Sequence, residues 1–148
     1  MFSIVATALA ATLTLLQPTP LEGKMIDLTN ADRRQQGLSA LNFDYDTLAI
    51  ARVRAADQQS LVSLNHFSSD GSLTFIRFLI EDHITTANGR AGENLARSYP
   101  WMPDDIERAL IASPAHRANI LSTQWTSMSV GMWEDTTTPG GDLAFIFR

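Results

Sequence analysis

The chain has 148 residues, of which 45% are hydrophobic and 18% charged, enough for one domain with a real core and too few for two comfortable ones. The net charge is -5, and the basic residues are ten scattered Arg and a single Lys, so there is no basic stripe and nucleic acid is not an expected partner. Cysteine is absent, which excludes disulfides, thiolate metal centres and cysteine nucleophiles.

The first segment, MFSIVATALAATLTLLQPTP, is almost purely apolar from Phe2 to Leu16 and breaks at Gln17-Pro18-Thr19-Pro20. An apolar run followed by a polar, proline-containing stretch suits a secretory signal or an N-terminal anchor over residues 1–20. Two features depart from that pattern: no Lys or Arg precedes Lys24, and the small-x-small pattern Ala8-Leu9-Ala10 comes early. The run is short for a membrane span. The folded domain is therefore expected over residues 21–148.

From Met25 to Gln36 the pattern is helical, and Gly37 suits the residue after a helix end. LSALNFDYD reads as a connector. Asp46 is a candidate N-cap for a second helix, Thr47 to about Leu64, with an apolar stripe of Leu48, Ala51, Ala55 and Val62. The small alanines imply close packing against a neighbour. NHFSSDGS is a loop by composition, and Ser72 is a candidate cap for a third helix from Leu73 to about Asp82.

TTANGRAG is rich in turn residues, and ENLARS reads as either a short strand or ordered coil. Pro103 suits the first position of a fourth helix, with Asp104 and Asp105 at the positive end of its dipole. That helix runs to about Ala112, and Ser113-Pro114 opens a fifth through Leu121. SMSVGMWED and LAFIFR have strand composition, joined by the hairpin loop TTTPGGD. Helices first and strands last predict an α+β fold with helices covering an antiparallel sheet.

Polar residues that call for a role cluster at Asn65-His66, Gly92-Glu93-Asn94 and His116-Arg117, each at an element edge or in a loop. His66, His116 and Glu93 are types that bind zinc, or that exchange protons with a carboxylate orienting an imidazole. Their spacing matches no compact metal motif, so spacing alone favours structural roles. His83 reads as part of a solvated helix end. Arg117, Asn119, Asn30 and Asn65 are candidate braces for backbone groups, Gly92 a special backbone position, and Gly131 a point of close helix–sheet approach. Trp101, Trp125 and Trp133 read as core or cleft wall.

The ordered series LTNADRRQQGLSALNFDYDTLAIARVRAADQQ, NHFSSDG, GENLA, SPAHRANIL and SVGM resembles the CAP superfamily (SCP domains), in particular its small bacterial secreted branch. GENLA and SPAHRANIL in this order are the specific part. The resemblance implies an α-β-α sandwich with a three-stranded antiparallel sheet between helical layers. It also implies a cleft with two histidines and two acids that binds divalent metal in some members.

Carried over residue by residue, the histidines are His66 and His116 and the first acid is Glu93. The second acid is missing: Ser113 stands about where it is expected, and Glu107, two turns earlier, is expected to face elsewhere. Metal, if held, would then sit on His66 and His116, with water completing the shell of a zinc ion. The function implied is a secreted or surface-associated module that binds a small molecule, lipid or cell-envelope ligand without catalysis. The alternative is a zinc-assisted, protease-like hydrolase with Glu93 as general base. A structural envelope module anchored by Phe2–Leu16 is a third reading. A Ser-His-Glu hydrolase using Ser113 is weaker, because Ser113 is better placed to cap a helix.

Overall fold

A computed structural model of the chain describes residues 17–86 and 89–148. Residues 1–16 of the expected leader lie outside the described residues. The first helix among the described residues, α1 (Pro20–Gln35), begins earlier than the expected Met25. Its start is fixed by a reciprocal cap. The Thr19 hydroxyl accepts from the Glu22 amide at 3.2 Å, and the Glu22 carboxylate accepts from the Thr19 amide at 2.7 Å. Gly37, at φ 73°, ends it as expected, with the Leu38 amide returning to the Arg33 carbonyl.

The connector after α1 holds a two-residue strand, β1 (Asn42–Phe43), which the sequence reading takes as coil. Asn30 clamps it from α1, donating to the Leu41 carbonyl and accepting from the Leu41 amide. Helix α2 (Tyr45–Gln58) is capped by Asp44 rather than Asp46, because the Asp44 carboxylate reaches the Asp46 amide. It stops short of Leu64. Arg97 takes the Gln58 and Leu61 carbonyls, and the Gln58 amide group turns to bind both backbone groups of Asn65, which draws the chain into a loop.

Helix α3 (Thr74–Glu81) follows. Ser72 does not cap it; its hydroxyl donates to Asp70 at 2.6 Å instead. His83 is exposed at the end of that helix. GENLARS is a strand, β2 (Gly92–Ser98). Helices α4 (Pro103–Ala112) and α5 (Pro114–Ile120) fall where the two prolines place them. The chain closes with β3 (Ser127–Glu134) and β4 (Gly141–Phe147).

Among the described residues the sheet has four strands in the order β1-β3-β4-β2, not three. The antiparallel part is β3-β4-β2, as expected, and β1 adds a parallel edge against β3. Two residues are too few to display the alternation that marks a strand in sequence. Along β4, Leu143, Phe145 and Phe147 face one layer, packing with Met25 and Ile26 of α1, Ile106 and Leu110 of α4 and Ile120 of α5. Ile146 and Ala144 face the other, against Ile50, Ala51 and Ala55 of α2 and Phe75 and Leu79 of α3. This two-residue period buries both faces of the strand.

Helix α2 lies on the sheet with almost no spacer. A Cβ at Gly131 would come within 2.1 Å of the Arg52 amide nitrogen and 2.2 Å of the Ala51 carbonyl carbon. The small residues Ala51, Ala55 and Ala144 continue the seam. Glu22 fastens α1 to the same region: it pairs with Arg52 and accepts from the Met132 amide.

Glu107 faces away from the β2 edge, toward α1. It is buried, accepts only from the Thr29 hydroxyl at 3.2 Å, and its Oε1 has no partner among the described residues. Burial pushes its pKa up to about 8, and neighbouring Asp32 adds to the rise.

Two outcomes follow from these contacts. Gly131→Ala should push α2 off the sheet and cost about 3 kcal/mol or more, read as a fall in the denaturant midpoint. Glu107 ionises in the unfolded chain near 4.5 but in the native state only near 8, so stability should decline as pH rises through that window. Glu107→Gln should remove that slope, most visibly as a higher Tm than wild type at pH 9. An unchanged slope in the variant would refute the assignment.

Candidate functional site

Strand β2 is a sheet edge, and its residues alternate between the two helical layers. Glu93 pairs in register with Ile146 and so looks toward α2; Asn94 pairs with Phe145 and so looks toward α5. These adjacent residues tie the edge to both layers.

On the α2 side, Arg54 is buried and meets Glu93 with two hydrogen bonds, Nε to Oε2 at 2.7 Å and Nη2 to Oε1 at 3.1 Å. Such a fork matches a carboxylate in both geometry and charge. Arg54 Nη2 also donates to the Asn65 carbonyl at 2.9 Å, so the same guanidinium holds the residue before His66. The Asn65 side chain braces its own loop, accepting from the Phe67 amide, as its type suggests. His66 Nδ1 lies 2.8 Å from Glu93 Oε1. As a donor from Nδ1 to that carboxylate, the ring keeps the lone pair on Nε2.

On the α5 side, Asn94 Nδ2 donates to the His116 carbonyl at 3.0 Å. Asn119 Nδ2 donates to the Asn94 side chain and to the Glu93 carbonyl. Gly92 keeps room for this: a Cβ there would press within 3.0 Å of Asn119 Oδ1 and 3.1 Å of Trp125. Trp125 in turn donates from Nε1 to the Asn119 carbonyl. The expected brace from Arg117 does not form; Arg117 is exposed and its side chain has no hydrogen bond among the described residues. Its position on the outer face of α5 turns it away from the carbonyls that Asn119 reaches.

His66, Glu93 and His116 line one open hollow of about 300 Å³, with Phe67, Leu73 and Phe75 among its walls. The sequence-predicted trio is thus brought together, and Ser113 and His83 do not join it. The His116 ring has no hydrogen-bond partner among the described residues. Its pKa is lowered, first by burial and then by the neighbouring His66. Trp125 packs in the core layer, stacked on Phe147, and Trp101 packs against the same layer, while Trp133 lies against the α2 face. None of the three lines the hollow.

Whether a divalent metal suits these residues depends on donor chemistry. Two imidazoles are good zinc donors. Glu93 is poorly placed as a third, since both of its oxygens already accept hydrogen bonds, from Arg54 and His66. Among the described residues, no three His, Asp or Glu side chains are arranged to hold a metal ion. The two imidazoles in the hollow's lining are therefore the donors that a metal ion would have to use, with Glu93 orienting His66 from behind.

Sequence reasoning missed Arg54, which reads as one charge on a helix face. The available signal was its place on the alanine side of α2, where a charge has no reason to be unless partnered.

The buried pair and the exposed rings should separate on mutation. Glu93→Ala leaves the buried Arg54 guanidinium with the part-exposed Asp57 as its remaining counter-charge, a cost of about 3 kcal/mol. His66→Ala and His116→Ala, at the rim, should change stability by about 1 kcal/mol or less. Chemical denaturation of the three variants checks the contrast.

The CAP family profile, described as the cysteine-rich secretory protein family, matches residues 26–146. Two curated relatives come from Bacillus subtilis: the uncharacterized protein YkwD, 31% identical over 113 residues, and the uncharacterized membrane protein YlbC, 32% identical over 115 residues. These alignments cover 76% and 77% of this chain but only 42% and 32% of the relatives, so the chain spans less than half their length.

Three solved structures share the fold. An extracellular protein containing a SCP domain from Bacillus anthracis has a TM-score of 0.69 at 24% identity, covering 88% of this chain and 44% of that one. A cysteine-rich secretory protein from Staphylococcus aureus has a TM-score of 0.66 at 21% identity, covering 86% and 37%. An outer surface protein of Borrelia burgdorferi has a TM-score of 0.70 at 16% identity, covering 88% and 94%. With the profile spanning most of the chain and the α+β fold shared, the chain belongs to the CAP family of cysteine-rich secretory proteins.

Proposed function

We propose that this CAP domain is a non-catalytic binding module of the cell surface or extracellular space. Its ligand, a small molecule, lipid or cell-envelope fragment, enters the hollow between His66 and His116. The carrying observation is the character of that hollow: an open cavity with aromatic and aliphatic walls and two imidazoles from different layers. Such a lining, mostly apolar with few convergent polar groups, is the common form of a ligand site. The same rings would hold a zinc ion weakly, with water as the remaining ligand.

The location rests on family likeness: structural neighbours are described as extracellular or outer-surface proteins, and one relative as a membrane protein. No helix among the described residues is long and apolar enough to cross a membrane. The hydrolase alternative asks Glu93 to take a proton from water. Its oxygens are instead spent on Arg54 and His66, which favours binding over catalysis.

Zinc titrated calorimetrically into wild type should bind, and His66→Ala and His116→Ala should each weaken it by roughly tenfold or more. Identical binding in all three would remove the two-imidazole site. Incubated with casein or peptidoglycan fragments, the protein should leave both uncleaved. Turnover abolished by His66→Ala would overturn the binding reading in favour of the hydrolase.

A further inference from the structure

We propose that Arg54 is the specificity-determining residue of the cleft: its buried guanidinium withholds Glu93 from any bound cation and commits that carboxylate to orienting His66. This rests on the reading of the His66–His116 hollow as a ligand and cation site. Glu93 is among the residues lining the hollow with both rings and lies against His66, yet its carboxylate is buried and engaged by its partners. Arg54 engages both of its oxygens at once, through Nε at 2.7 Å and Nη2 at 3.1 Å. The oxygen nearer His66 is thereby shared between guanidinium and imidazole.

The guanidinium also balances the charge. A carboxylate beside two imidazoles is an attractive electrostatic seat for a divalent ion, but a cation fixed against that carboxylate cancels most of the attraction. Arg54 is held in turn by Asp57 and by the Asn65 carbonyl, so it cannot swing aside without releasing the loop that carries His66. The outcome is a cleft that offers nitrogen donors and little net charge, suited to neutral or weakly polar ligands more than to tight zinc binding. A lysine could not do the same, since one ammonium does not span both oxygens of the carboxylate in fork geometry.

The test measures zinc affinity in wild type, Arg54→Met, Arg54→Lys, and the double variant Arg54→Met with Glu93→Gln, each checked for folding by circular dichroism. Methionine keeps the apolar stem and removes the charge. Arg54→Met should bind zinc roughly tenfold tighter or more, and the double variant should lose that gain. Arg54→Lys should fall between wild type and Arg54→Met. A folded Arg54→Met that binds zinc no more tightly than wild type overturns the proposal, as does a double variant that keeps the gain.

If Arg54→Met folds only with metal present, Arg54→Lys decides. Tighter binding than wild type supports the role, and equal binding overturns it. The underlying reading fails separately: equal zinc affinity of wild type and His66→Ala would sink the two-imidazole site, while Arg54 is still judged by the difference between the single and double Met variants.

Discussion

The Arg54–Glu93 pair is the contact on which the site's geometry depends. It joins the edge strand β2 to helix α2 and, through Asn65 and His66, holds the loop between α2 and α3. Such a pair is not a large source of stability. Desolvating two charges costs nearly what their attraction returns, and an apolar substitute for both would often do as well. What it supplies is position. Removing either partner leaves the other buried with weaker company, Arg54 with the part-exposed Asp57 and Glu93 with His66, so the arrangement is held by penalty on both sides, and His66 inherits that fixed frame.

Arg54 reaches Glu93 only because α2 sits unusually close to the sheet. The seam of Ala51, Ala55, Gly131 and Ala144 lets backbone approach backbone, and a single methyl at Gly131 would collide with the main chain of α2. Burial of small side chains gives less hydrophobic stabilisation per residue than burial of large ones. The bulk of the apolar burial lies in the other layer, where Phe145, Phe147, Met25 and Ile120 pack. The fold thus divides its labour: one face of the sheet carries the large core, and the other trades bulk for proximity. Asn94 and Asn119 then fix α5, and His116 with it, to the same edge from the core side.

Much of this was legible in the sequence, and the parts that were not have physical reasons. Pro103 and Pro114 mark helix starts because proline needs no amide partner there, and both hold. The hairpin of β3 and β4 and the close approach at Gly131 also follow from composition. The start of α1 was hidden because Thr19-Pro20-Leu21-Glu22, a capping-box pattern, abuts an apolar run that draws the eye as a leader. Strand β1 was hidden because its pairing depends on the Asn30 clamp and on β3, neither local to it. The cap of α2 moved from Asp46 to Asp44 because two acids lie within one turn and tertiary contacts choose between them; Arg148 binds both, but Asp44 also accepts from Ser127 and is the buried one. His66, Glu93 and His116 could be named from family motifs. That Arg54 governs them could not, because an arginine on a helix looks solvated until the sheet behind it is seen.

The missing second acid takes on a different meaning in this light. Ser113 at the end of α4 leaves the hollow without that carboxylate, and Glu107 does not replace it, since it faces Thr29 on the opposite side of α4. Counting acids would leave Glu93 as the cleft's sole negative charge among the described residues, enough to draw a cation. Counting partners gives another answer, because Arg54 cancels that charge where it stands. A cleft with two acids and no buried arginine would favour metal; one acid paired to an arginine is the ground for the proposed ligand that makes hydrogen bonds to imidazole and packs on Phe67, Leu73 and Phe75. On the proposed role of Arg54, the chemistry of this site follows from where the guanidinium lies more than from how many carboxylates the motif supplies.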